Sequence, residues 1–270
     1  MSSFLDLLII YRWSLPASVV VAVVLAMIGA QWTAREKSAQ VFVLGQGSSL
    51  GIVLGLVLNI LLGADYHVLS LALGLSVGGL TLLASEYLVE TKADRNHVYL
   101  TLFVVFLALT YLLTSLVPSL ESHMAASYFG DLAVMSDSGA IGNLIVGLFF
   151  AAFLWLQWRP LSTVSFKLVN QSYIHRNPRD WIFDVGTLLV TTLAIQNMGY
   201  LFTVGSLFIS TTLASRKSQN LHAYTVRLVL ISAVGCFLGF MLSLLSTNLP
   251  TVPCVLLAQV FVGSLFYTKK

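Results

Sequence analysis

Charge is what this sequence has least of. Of its 270 residues, 14 are Lys or Arg and 11 are Asp or Glu, 9% of the chain where a soluble domain carries about a quarter. Such a balance excludes an ordinary soluble domain. The net charge of +3 does not make a nucleic-acid-binding face either, because the cations stand in small groups between apolar stretches. Cysteine is equally scarce. Cys236 and Cys254 form no CxxC pair and show no metal-ligand spacing. The chain also lacks a Ser-His-Asp pattern, an HExxH motif and a phosphate loop, which leaves enzyme chemistry a minor reading. The polar intervals are too short for a separate soluble domain. The opening SSFLDLLIIYRW has Asp6 inside its apolar patch, so it reads as an interfacial lead-in rather than a removable signal peptide.

What is present is apolar residue, 57% of the chain. Apolar segments recur at 14–32, 41–63, 67–89, 97–118, 139–158, 182–197, 199–214, 225–246 and 251–267, several of them near the roughly 20 residues that cross a bilayer core. In lipid the backbone must satisfy itself, so these segments should be helices, and no short alternating pattern of a membrane barrel occurs. The expected fold is an all-α polytopic transmembrane bundle of about nine spans, or eight if one segment is re-entrant. One domain, residues 1–270, accounts for the whole chain.

Basic residues set the orientation. With the N-terminus outside and the C-terminus inside, Arg35, Lys37, Lys92, Arg95, Arg159, Lys167, Arg176, Arg179, Arg216, Lys217, Arg227, Lys269 and Lys270 all fall on the inner side, and Arg12 alone lies outside. This arrangement needs an odd number of spans.

Within the spans, Gly47, Gly51 and Gly55 recur every fourth residue and share one helical face, which lets another helix approach closely. Polar side chains in apolar segments should face the bundle interior or a wet path. Gln46, Ser49, Asn59, Gln196, Asn197, Ser206 and Ser210 are the candidates for such a path, and helix-to-helix hydrogen bonding is the other reading of Gln46 and Asn59. The short segments 182–197 and 199–214 meet at Gln196-Asn197-Met198-Gly199, either as a discontinuous helix pair beside a transport route or as a tight turn. The five histidines lie near span boundaries without ligand spacing, so no metal site can be assigned.

The longest inner loop, RPLSTVSFKLVNQSYIHRNPRDW, spans 159–181. A short helix from Leu161 to Ile174 would place Phe166, Val169 and Tyr173 near one face, with Lys167, Asn170 and Gln171 around the others. Such a helix is a docking element for a soluble motor or an interfacial crossover at the lipid headgroups.

Two stretches carry a resemblance to a known family. The segment Ala126-Ser-Tyr-Phe-Gly-Asp-Leu-Ala-Val, followed by a span ending Phe153-Leu-Trp-Leu-Gln-Trp-Arg159, resembles the membrane subunit of zinc and manganese ABC importers, the ZnuB-like permeases, which carry a YLFGDLL-like segment before a helix ending near WQWR. Met198 to Ala214 resembles that family's VG-x-L to LLIIPAA region, and the end from Val252 its final span. The resemblance covers residues 14–270. It implies a homodimeric bacterial inner-membrane permease with two cytosolic ABC ATPase subunits that bind the ATP and Mg, an extracytoplasmic substrate-binding protein, and zinc or manganese as substrate. It also implies that 161–180 is the cytoplasmic coupling segment, with Phe166, Lys167, Val169, Asn170 and Tyr173 as its candidate contacts. No cofactor is expected in the chain itself.

The departures from the family pattern bear on substrate. Its second span opens on a GD-x-x-x-H-like motif, in which Asp and His can serve metal transfer. This chain has Phe42 at the acidic position and Gln46 at the imidazole position. A neutral amide holds zinc poorly, and Phe42 supplies no donor. The proline of LLIIP becomes Ser210, which keeps its N–H and loses an enforced kink. Import of a divalent metal by alternating access is the leading function. A chelated metal or small organic solute, a non-transporting scaffold and an ATP-independent carrier are the alternatives.

Overall fold

The computed structural model describes residues 9–63, 67–89, 94–117, 128–170, 178–216, 218–245 and 249–268. Among these, nine helices form: α1 (Ser14–Ala34), α2 (Ser38–Leu62), α3 (His67–Tyr87), α4 (Arg95–Leu116), α5 (Asp137–Asn170), α6 (Pro178–Met198), α7 (Tyr200–Ser215), α8 (Leu221–Leu244) and α9 (Thr251–Thr268). They follow the nine apolar segments. Six of them, α1 to α5 and α8, are long and apolar enough to cross a membrane, while α7 and α9 are shorter apolar helices. Helix α6 carries Arg179, Asp180 and Asp184 in its first two turns, and those charges dilute its apolar character.

The ends are set by local chemistry. Asn220 caps α8 by accepting a hydrogen bond from the Ala223 N–H at 2.8 Å, and Gly63 closes α2 in the left-handed region at φ 63°. Between α1 and α2 lie only Arg35, Glu36 and Lys37, with Glu36 at φ 57°, so the two helices are joined by a tight turn. In α5 the sequence suggests a break after residue 158. The helix instead runs through Pro160 for 34 residues. Proline removes one backbone donor without forbidding the next turn, so the inner loop begins as an extension of the span.

Two groups of helices share the work of burial. Helix α1 packs on α5, α7 and α8, with α9 completing that group against α7 and α8. Helix α2 packs on α3 and α4, and α6 bridges the two groups. Of the apolar stretches of α1 and α2, 72% is buried inside the bundle, against 17% for α4. The glycine face of α2 meets α3 as its spacing predicts: a Cβ at Gly51 would strike the Leu73 carbonyl, and one at Gly55 the Ser70 backbone. Across this seam the two helices run antiparallel, from the Lys37–Glu86 ion pair at 3.0 Å and the Gln40–Ser85 hydrogen bond at 2.8 Å to the contact of Gly55 with Ser70.

Candidate functional site

Gln46 is fully buried on α2. Its Nε2 donates to the Tyr128 hydroxyl, from the segment that precedes α5, and to Thr110 Oγ1 on α4 at 3.4 Å. Ser49, one turn along α2, lies by the same Tyr128 hydroxyl but outside hydrogen-bond geometry. Gln46 Oε1 and Ser49 Oγ therefore have no partner among the described residues. A buried acceptor left in this state is costly unless water or solute completes it.

An aromatic group closes the other side. Phe42, one turn before Gln46, stacks on Phe208 of α7 with centroids 4.7 Å apart and planes 4° from parallel. The Tyr200 hydroxyl donates to the Phe42 carbonyl at 3.4 Å, and the Tyr200 ring lies 5.6 Å from that of Tyr128. The two positions where the family motif has Asp and His are thus occupied by a stacked ring and a tethered amide. Among the described residues no three His, Cys, Asp or Glu side chains converge as they would to hold a metal ion.

The remaining route candidates do not join this pocket. Asn59 lies 13 residues further on, about 20 Å along α2, and donates to Ser70 Oγ at 3.4 Å, a helix-to-helix bond. Gln196 and Asn197 are half-buried at the end of α6, where Asn197 Nδ2 donates to the Leu193 carbonyl at 3.2 Å. Ser206 and Ser210 are fully buried on α7, their hydroxyls without a partner among the described residues. Helical geometry places them away from Gln46. Leu207 and Thr211 face α1, and Gly205 and Leu213 face α9, so Ser206 and Ser210 point between those two, toward α8.

Ser232 on α8 and Gln259 on α9 are buried with unpartnered polar atoms as well. Gln259 packs on Gly235 of α8. Sequence reasoning passed over both, although Gln259 is the lone amide in the last apolar segment.

The junction at Gly199 has a definite shape. Gly199 adopts φ 92° between α6 and α7, and its N–H donates to the Ala194 and Ile195 carbonyls, each at 3.1 Å. Gly130, at φ 68°, lies directly against it. A Cβ on either would collide with the other's backbone surroundings, so both positions require glycine for conformation and for space. The following Asp131 accepts from Thr251 Oγ1 at 2.9 Å, and the Leu132 N–H donates to the same hydroxyl at 2.9 Å. The Phe-Gly-Asp segment is therefore a latch between the α6–α7 junction and the start of α9.

At the opposite end of α5, the extension beyond Pro160 presents two faces. Leu161 and Ser165 are buried, Phe166 is 71% exposed, Lys167 is exposed and Val169 half-buried. Asn170 ends the helix, and Tyr173 lies outside the described residues. The buried face meets Arg35, at the end of α1. Arg35 Nε donates to Ser165 Oγ at 3.1 Å, Nη2 pairs with Asp180 at 3.2 Å, and Nη1 stands 3.7 Å from Asp184. Sequence reasoning counted Arg35 only as an inner-side cation and gave Asp180 and Asp184 no role, although their spacing by four residues marks one helical face.

The comparisons agree with this architecture. The chain resembles PsaBC from Streptococcus pneumoniae, solved in complex with Fab, with a TM-score of 0.76 and 19% identity over 98% of this chain and 95% of that one. It also resembles a protein described as a metal-chelate type ABC transporter in an inward-facing conformation, with a TM-score of 0.71 and 16% identity over 97% of this chain and 88% of that one. At these identities the likeness is one of fold. A search of curated proteins found no match. The model of the ABC 3 transport family matches residues 9–268, nearly the whole length, and the chain belongs to that family.

Proposed function

We propose that this chain is the membrane-spanning permease subunit of an ATP-driven importer for a divalent metal ion, zinc or manganese. It works by alternating access as a homodimer. Two cytosolic ATPase subunits bind the ATP and Mg, since this sequence has no phosphate loop of its own. An extracytoplasmic binding protein delivers the substrate. The observation that carries this reading is the family match over residues 9–268.

The chain crosses a bacterial inner membrane nine times, with its N-terminus outside, and the distribution of basic residues supports that orientation. The route passes the pocket of Gln46 and Ser49, whose unpartnered oxygens offer neutral ligands to a passing solute. Asn59, Gln196, Asn197, Ser206 and Ser210 contribute at other depths. The segment 161–180 receives the ATPase, with the exposed Phe166 and Lys167 as its first contacts.

The test is reconstitution in vesicles with the partner ATPase, the substrate-binding protein, and zinc or manganese inside and outside. ATP-dependent accumulation supports the proposal, and accumulation without nucleotide would reassign the chain to the carriers. A second reading, import of a chelated metal, is favoured by the Phe42–Phe208 stack and the tethered Gln46 at the positions of the family's ligand pair. Aromatic faces and amides suit an organic shell around the metal better than a bare cation. Competition of uptake by a metal-free chelator analogue separates the two.

A further inference from the structure

Among the described residues, Arg35, Asp180 and Asp184 are the charged side chains that the fold buries, at 7%, 5% and 5% exposure. They stand together where the ends of α1, α5 and α6 meet. The last turn of α1 supplies Gln31, Trp32 and Arg35. The extension of α5 supplies Ser162 and Ser165: Gln31 Nε2 donates to Ser162 Oγ at 3.0 Å, and Ser165 Oγ donates to Gln31 Oε1 at 2.9 Å. The first turns of α6 supply Asp180, Asp184 and Phe183, whose ring lies 4.7 Å beneath the guanidinium and 6.2 Å from Trp32.

Arginine suits such a junction because its planar fork directs several donors at fixed angles, and lysine, a single point charge, cannot replace it. Once buried, the charges cannot separate without leaving one of them unpaired in a poorly solvated interior. The ion pairs therefore tie α1 to α6, and the Ser162 and Ser165 hydroxyls tie α1 to α5.

From this geometry we infer that Arg35 is a positioning residue of the transport cycle, carrying displacement of the α5 extension, 161–170, into α1 and, through the tight turn at Glu36, into α2 and the Gln46 pocket. The inference rests on the reading of that segment as the ATPase contact. One turn of α5 shows how it works: Phe166 is exposed on the outer face, while Ser165 beside it is buried against Arg35. A push on the outer face is delivered to the guanidinium without a flexible link between them. Three residues after Arg35 the chain is already in α2, so a tilt of the clamp turns the helix that holds Gln46.

The experiment uses the full complex in proteoliposomes with zinc or manganese and measures solute imported per ATP hydrolysed. Arg35→Lys keeps the buried charge, and Ser165→Ala leaves the ion pairs and removes the neutral hydrogen bonds to Arg35 and Gln31, so one of the pair survives even if the other fails to fold. Both variants should copurify with the ATPase in normal proportion. Arg35→Lys should lower the import-to-hydrolysis ratio about tenfold and Ser165→Ala by a smaller factor, the span of ordinary coupling between sites. If import and hydrolysis fall together, or the ratio does not move, Arg35 is a structural residue and the inference is overturned. If the wild-type complex binds no ATPase, the underlying reading of 161–180 has failed, and the inference fails with it for that separate reason.

Discussion

At Gln46 the buried polar groups are neutral and incompletely bonded, whereas at Arg35 charged groups from two helices are paired and a serine of a third is bonded to them. Gln46 Oε1 and Ser49 Oγ face no partner among the described residues. Arg35 engages Ser165, Asp180, Asp184 and the Phe183 ring. The contrast separates two uses of polarity inside an apolar bundle. An unsatisfied neutral pocket can exchange partners at low cost, which suits a route, and a closed ionic junction resists rearrangement, which suits a lever.

Breaking the ionic side should have the largest effect. Arg35→Leu strands two carboxylates in the interior and should lower stability by about 3–5 kcal/mol, measured by unfolding of the purified protein in detergent. A loss below about 1 kcal/mol would mean that water already reaches the cluster. Next comes the frame around Gln46. Gly51→Leu forces a side chain into the Leu73 carbonyl of α3 and should cost about 1–3 kcal/mol or more, with the spread depending on how far the seam can open.

Gln46→Leu is the counterpart of the arginine change and should behave differently. It deletes an unpartnered acceptor but also the donor to Tyr128 and Thr110, so stability should fall by about 1 kcal/mol, well short of the arginine change. Uptake should nevertheless fall about tenfold or more with the complex intact. Unchanged uptake would remove Gln46 from the route. The smallest stability effect belongs to Phe166→Glu at the exposed end of α5, within about 0.5 kcal/mol. Its signature is lost copurification of the ATPase. Retained binding would make the segment an interfacial crossover.

Much of the fold was legible because apolar length and glycine spacing are local signals. The nine segments correspond to the nine helices among the described residues, and Gly47, Gly51 and Gly55 face α3 as their period requires. The end of α5 was not legible, because the apolar run stops near residue 158 while the helix itself carries on through Pro160 to Asn170.

The sites were legible in part. Gln46 was visible as an amide in an apolar run, but its tie to Tyr128, 82 residues away, was not. Arg35 and Asp180 are separated by 145 residues, and no local pattern pairs them. The stack of Phe42 on Phe208 likewise exists only once α2 and α7 are packed. Ser206 and Ser210 were singled out correctly as polar, yet a helical wheel needs the neighbours' positions before it can say that they face α8 rather than Gln46.

The most direct test is metal uptake by vesicles containing this chain with its ATPase and binding protein, using zinc and manganese in turn. A permease of this kind accumulates metal only with ATP, and hydrolysis rises with transport. Hydrolysis with no movement of metal or of chelate, or metal movement that ignores ATP, would contradict that function.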